Sequence, residues 1–207
     1  MKRFVLAITG ASGTAYGRRM LEVLADTGAE IHLTVSVPAA KVAAHELGLR
    51  FDPDDGPETV RALLGHEPAN VVFHRSSELE APVASGSFLH DGMAVVPCSM
   101  GTLGRIAHGV SSGLADRAAD VCLKERRRLI LVPRETPYSM IHLENMLALT
   151  RAGATILPAS PGLYAGATTV EQLVDFVVGR ALDHLGVENH LIQRYGETAK
   201  RRHPEDE

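Results

Sequence analysis

Cysteine is scarce. Cys98 and Cys122 are the only two in 207 residues, too few for the disulfide framework of a small secreted fold. Long apolar runs are missing too. No stretch approaches the roughly 20 residues that span a bilayer. The opening MKRFVLAITG breaks at Thr9-Gly10 with no small-residue cleavage site behind it, so it reads as a first β-strand rather than a signal peptide. A cytoplasmic protein is the simplest expectation. Positive charge is not in excess: 21 Lys and Arg stand against 25 Asp and Glu, which leaves no surplus to neutralise a nucleic-acid backbone. The ten histidines form no HExxH and no Cys-rich spacing, so no metal site is expected. No internal repeat is present, and no linker divides the chain. The 45% hydrophobic content suffices for one globular core.

Short apolar runs alternate with helical patterns. Residues 4–9 read as a strand, GASGTAYG as a glycine loop, and RRMLEVLADTG as a helix stopped by Gly28. Residues 30–36 read as strand two and 38–47 as a helix with proline near its start. Residues 48–68 are acidic and read as a surface loop with a short helix. Residues 71–73 are a candidate third strand, and ELEAPVASGSF reads as irregular. Strands are expected at 93–96, 129–132 and 155–157, and helices at 102–108, 114–126, 139–152 and 170–185. This alternation predicts an α/β fold, a single-domain Rossmann-like three-layer sandwich with a mostly parallel sheet. The near-continuous apolar strands fit burial on both faces. Residues 1–190 form the expected domain and 191–207 a charged tail.

Ligands of such sheets bind beyond the carboxyl ends of the strands. Here the first strand ends in TGASG, the second in Ser36, the fourth in PCSMGT and the fifth in PRETP. TGASG is not the dinucleotide fingerprint. It reads either as an ordinary turn or as a helix start whose N–H groups suit a phosphate. Cys98 has no lysine or histidine beside it in sequence to lower its pKa, which favours a buried inert thiol over a nucleophile. Ser99 and Thr102 suit an N-cap or a cofactor contact. Arg134 is permanently charged, and Glu135 beside it is an acid/base candidate. The alternative is a surface salt bridge with Thr136 as a helix cap. Arg117 and Lys124 lie two helical turns apart on one face, among acids that also fit a plain solvated surface. If Arg134, Tyr164 and Arg180 join them, several cations and a phenol make an anion site. His142 and His184 lie on apolar helix faces and suggest no catalytic task.

The stretches TGASGTAYG, APVASGSF, VVPCSMGT, DRAADVCLKERRRLILVPRETP, PASPGLY and RALDHLG occur in this order from residue 4 to about 186. In them the chain resembles the flavin prenyltransferases, the UbiX-like proteins once called aromatic acid decarboxylase small subunits. The acidic loop at 50–66 and the tail match no feature of that family. The resemblance implies a flavodoxin-like Rossmann variant and a large homo-oligomer with flavin near subunit contacts. It implies that the chain joins a dimethylallyl group from dimethylallyl monophosphate to N5 and the adjacent ring carbon of reduced FMN. The product would be prenylated FMN for a UbiD-type decarboxylase, with no metal and no membrane. It implies flavin contacts at Gly10, Ala11, Ser12, Ser36, Ser85, Ser87, Ser99, Met100, Gly101, Thr102 and Arg134. Arg117, Lys124, Tyr164 and Arg180 would hold the prenyl phosphate. Glu135 would be the acid/base, with Ser12 and Glu46 assisting. Three alternatives stay open: an FMN-dependent cysteine-decarboxylase-like enzyme, a non-enzymatic FMN carrier, and a direct phenolic-acid decarboxylase subunit. PCSMGT in place of a PASANT-like stretch disfavours the first, and the second set of anion-binding residues disfavours the carrier. A decarboxylase subunit should co-purify with a large partner.

Overall fold

The computed structural model describes residues 1–192. Its six strands are β1 (Arg3–Ile8), β2 (Glu30–Val35), β3 (Val71–Arg75), β4 (Gly92–Cys98), β5 (Leu129–Pro133) and β6 (Thr155–Ile156). They form one sheet in the order β3-β2-β1-β4-β5-β6, and every pairing is parallel. The helices among the described residues are α1 (Thr14–Asp26), α2 (Val37–Leu47), α3 (Gly56–Leu64), α4 (Met100–Ala107), α5 (Leu114–Lys124), α6 (Met140–Ala152) and α7 (Val170–Leu185). The period of two along each strand divides the core. Phe4, Leu6 and Ile8 face one layer with α1, α3 and α7. Val5 and Ala7 face the other with α4, α5 and α6.

The expected elements form, with shifted ends. β3 runs to Arg75, and β6 is only two residues long. The acidic segment holds α3, capped by Asp55, whose carboxylate accepts the Glu58 N–H. The stretch read as irregular contains one short 3-10 turn, Pro82–Ala84. The helix expected from residue 102 starts at Met100, because the Ser99 hydroxyl accepts the Thr102 N–H and begins the first turn there. The charged tail lies outside the described residues except for Leu191 and Ile192. Leu191 packs against the core.

One polar cluster lies under the loop joining β3 to β4. His32 and His74 are 4% and 6% exposed, stacked with centroids 5.1 Å apart. The Glu30 carboxylate lies 2.7 Å from His32 Nε2. A carboxylate only accepts, so Nε2 donates. His32 Nδ1 is then the acceptor for the His74 Nε2–H, at 2.8 Å. Phe88 closes the site edge-on against His32, with the Arg3 guanidinium over its ring. Burial pushes both histidines below their ordinary pKa of 6.5; Glu30 opposes this at His32, and Glu78 opposes it at His74, where His32 reinforces it. Unfolded histidines take up protons as the pH falls through 6.5, while these rings stay neutral. The pair therefore supports stability fully above that pH and progressively less below it, down through the depressed folded values. The urea midpoint is expected to fall from about pH 7 to 5. His74→Gln, whose amide still donates to His32, should give a shallower fall. An equally steep fall in that variant would place the effect elsewhere.

Candidate active site

Because all the strands are parallel, their carboxyl ends share one edge. The order reverses between β1 and β4, which opens the crevice where ligands of such sheets bind. Thr9 bridges that crevice. Its hydroxyl donates to the Pro97 carbonyl and accepts the Ser99 N–H, both at 2.8 Å. Ser99 in turn caps α4 and donates to Thr102 Oγ1 at 3.0 Å. Gly101 follows in the first turn and is exposed. A Cβ there would meet nothing nearer than Arg105 Nη1, at 3.5 Å. Packing does not demand glycine at this position, and its absent side chain leaves the backbone open to a flat ligand. Gly10 is different, because a Cβ there would collide with the Pro38 ring. Gly10 is thus explained by the close approach of the β1–α1 loop to α2. Ala11 beside it is buried. Ser36 caps α2, its hydroxyl accepting the Ala39 N–H at 3.2 Å.

The start of α1 does not stand open for a phosphate. Glu46, near the end of α2, occupies it. Its carboxylate accepts the Gly13 N–H at 3.0 Å and the Thr14 N–H at 2.9 Å. Burial raises this carboxyl, but bonds from the Ser12 hydroxyl and from Gly13 and Thr14 outweigh it and hold it below the usual range. The anion at this helix end is the chain's own. Of the two readings left open for TGASG, the ordinary turn is the one this geometry favours.

Arg134 joins the ends of β5 and β1, its Nε donating to the Ser12 carbonyl at 3.4 Å. Tyr16 lies close enough to feel Arg134. Burial raises its phenol, and the guanidinium opposes that. Glu135 is half-buried. Its carboxylate accepts the Thr136 N–H at 3.0 Å and makes no ion pair among the described residues. Thr136 is not a helix cap. Ser139 caps α6 in a capping box with His142, whose ring accepts the Ser139 N–H. His142 therefore has a structural task.

A second group of expected site residues is spread more widely. The first amide of α5 bonds Ser76, just past β3, so Arg117 stands near the carboxyl edge. Lys124 ends the same helix about 10 Å further along its axis. There it sits against Gly86, between Ser85 and Ser87, whose hydroxyls are 3.0 Å apart. Arg127 donates to the Gly86 and Phe88 carbonyls, anchoring that loop near the start of β5. Arg180 belongs to α7, on the opposite face of the sheet. Tyr164 lies in a short turn after β6, 75% exposed and edge-on to Phe176. One chain therefore gathers Ser12, Glu46, Ser99 to Thr102, Arg134 and Glu135, but does not bring Lys124 and Arg180 to them. Arg117 pairs with Asp120, Lys124 with Glu125 and Arg180 with Asp183, all on or beside their own helices. Exposed pairs of this kind are weak and yield to a better anion.

Cys98 and Cys122 are fully buried. Burial pushes the Cys98 thiol far up and Cys122 to about 12, so neither forms a thiolate near neutral pH. Sequence reasoning missed Thr9, Arg105 and Asp116. Asp116 is among the acids that fit a solvated surface in sequence, yet it is 2% exposed and paired with Arg105. The only hint in the sequence is that Arg105 follows Thr102 by three residues, one helical turn.

A family model described as Flavoprotein matches residues 1–182. The flavin prenyltransferase UbiX of Halalkalibacterium halodurans is 47% identical over 194 residues, covering 94% of this chain and 93% of that protein. The structure of AnUbiX in complex with FMN and dimethylallyl pyrophosphate superposes with a TM-score of 0.82 at 45% identity, over 94% of this chain and 97% of that one. A dodecameric FMN-dependent UbiX-like decarboxylase from Escherichia coli O157:H7 gives 0.81 at 41% identity, over 93% and 98% of the two chains. With its parallel sheet, its open Gly101 and its polar carboxyl edge, the chain belongs to the UbiX family of flavin prenyltransferases.

Proposed function

We propose that this chain transfers a dimethylallyl group from dimethylallyl monophosphate to reduced FMN. The observation that carries the reading is the carboxyl edge itself, where an open backbone at Gly101 adjoins the Ser99–Thr102 hydroxyl pair, with a half-buried Glu135 at the end of β5. The fit to a flavin is reasonable, since Thr9, Ser99 and Gly101 line the switch point without a bulky side chain. When bound, the reduced flavin supplies the ring nitrogen and neighbouring carbon that become alkylated. Breaking the allylic C–O bond leaves negative charge on the departing phosphate. Arg117, Lys124 and Arg180 offset that charge, and Tyr164 donates a hydrogen bond to it. Closing the new ring joins the flavin carbon to the alkene left in the prenyl group, so that one alkene carbon gains a proton as the flavin carbon loses one, and Glu135 takes up the proton that is lost. Ser12 donates its hydroxyl to Glu46, and the pair fixes the β1–α1 loop beside the reacting edge.

The assembly is a homo-oligomer, with the donor site completed by helices of neighbouring copies. Two observations support this: the separation of Lys124 and Arg180 from the carboxyl edge, and the exposed apolar side chains of Met140, Ile141, Leu143 and Leu147 on α6. The E. coli relative is described as dodecameric. No described helix is long and apolar enough to cross a membrane, and we assign the protein to the cytoplasm. The product serves a UbiD-type decarboxylase.

Anaerobic incubation with reduced FMN and dimethylallyl monophosphate tests the activity. The flavin recovered is expected to gain the mass of one prenyl unit. Tight FMN binding with no mass gain would refute transfer and leave a flavin carrier.

A further inference from the structure

The geometry points to Arg105, held by Asp116, as a positioning residue for the flavin-facing hydroxyls. This rests on the reading that Ser99 and Thr102 contact the flavin. Asp116 is a buried carboxylate that accepts four hydrogen bonds, three of them at Oδ2. Arg105 Nε donates to Oδ2 at 2.7 Å and Nη2 to Oδ1 at 3.2 Å. The Ser112 N–H and hydroxyl also donate to Oδ2, at 3.2 and 2.9 Å. A planar guanidinium held at two points has little freedom. The same Nη2 also donates to Thr102 Oγ1, at 3.1 Å. Thr102 is 3% exposed, and its Oγ1 accepts the Ser99 hydroxyl as well. The orientation of Ser99, at the mouth of the crevice, is therefore fixed from behind through Thr102, Arg105 and Asp116.

The bridge spans two helices. Arg105 lies on α4 and Asp116 in the first turn of α5, next to Arg117. It sets the spacing between the hydroxyls that face the flavin and the cation that faces the donor phosphate. A solvated surface pair would have no such reach. Here one partner is buried and the other touches a residue of the site.

Arg105→Lys keeps a cation beside Asp116 but cannot reach Asp116 and Thr102 together. The Kd for FMN, measured by flavin fluorescence on the intact protein, is expected to rise about tenfold, with KM for dimethylallyl monophosphate rising too. Thr102→Val should also weaken FMN binding. In the double variant the effect of Arg105→Lys on Kd should vanish, since its path runs through the Thr102 hydroxyl. Asp116→Asn, which keeps the side-chain volume, should shift Kd in the same direction and serves if the arginine variant does not fold. An equal loss from Arg105→Lys in both backgrounds would overturn the proposal, because the effect would then come from the fold at large. So would a loss in Thr102→Val with none in Arg105→Lys, which would leave the flavin contact standing. Unchanged FMN binding in Thr102→Val would overturn both.

Discussion

Glu135→Gln is expected to slow formation of the prenylated product by about 10²- to 10⁴-fold, the usual contribution of a positioned proton acceptor. FMN binding should be nearly unchanged. The amide keeps the shape of the carboxylate, and its carbonyl still accepts the Thr136 N–H that the Glu135 carboxylate accepts at 3.0 Å. What it loses is the basic lone pair. No ion pair is broken among the described residues, so the substitution leaves no charge stranded. The check is a single-turnover reaction under anaerobic conditions, with phosphate release and the flavin absorption spectrum followed over time, because the open adduct and the ring-closed product have the same mass. If proton removal is the step affected, bond cleavage and phosphate release should run ahead of ring closure, and an open adduct should accumulate. A variant that turns over at the wild-type rate would remove Glu135 from the proton step.

Lys124→Met is expected to lower activity about 10²- to 10³-fold by removing one fixed cation from the departing phosphate. Its side chain is 49% exposed, so the fold should tolerate the change. The sharper result comes from mixing. Chains carrying Lys124→Met and chains carrying Glu135→Gln are each nearly inactive alone. Co-assembled in equal amounts, they should recover about a quarter of wild-type activity, because half of the carboxyl edges and half of the neighbouring α5 ends are intact. Lys124 packs beside Gly86, at the far end of α5 from the first-turn contact with Ser76. Glu135 belongs to the opposite end of β5. If both residues served a site within one chain, the mixture would do no better than the average of the two variants. Native mass spectrometry of the co-expressed material verifies that mixed assemblies form.

Local chemistry made most of the fold legible. Apolar runs such as FVLAI and LILV demand burial on both faces, and the helical segments between them force parallel crossovers. Gly28 after α1 and the proline at the start of α2 could be read from the same rules. The ends of elements were less legible where a side chain competes for a backbone group. The Ser99 hydroxyl draws the start of α4 forward to Met100, and Ser139 with His142, rather than Thr136, begins α6.

The site divided in the same way. Its residue types were visible, because strand ends carrying Ser, Thr, Arg and Glu are unusual and the motifs around them are specific. Sequence alone determined an α/β chain with its chemistry at the carboxyl edge of a parallel sheet. Only the tertiary structure decided which polar groups are already committed. Glu46 fills the helix start that looked ready for a phosphate, because the close approach of Gly10 to Pro38 sets the β1–α1 loop against α2. Asp116 turned inward to hold Arg105, although Ala115 and Arg117 on either side of it are only half-buried. The sheet sets Arg180 on the other face from Arg117 and Lys124. Such pairings depend on which faces meet across the sheet, and the period along one helix or strand carries no information about the element that will cover it.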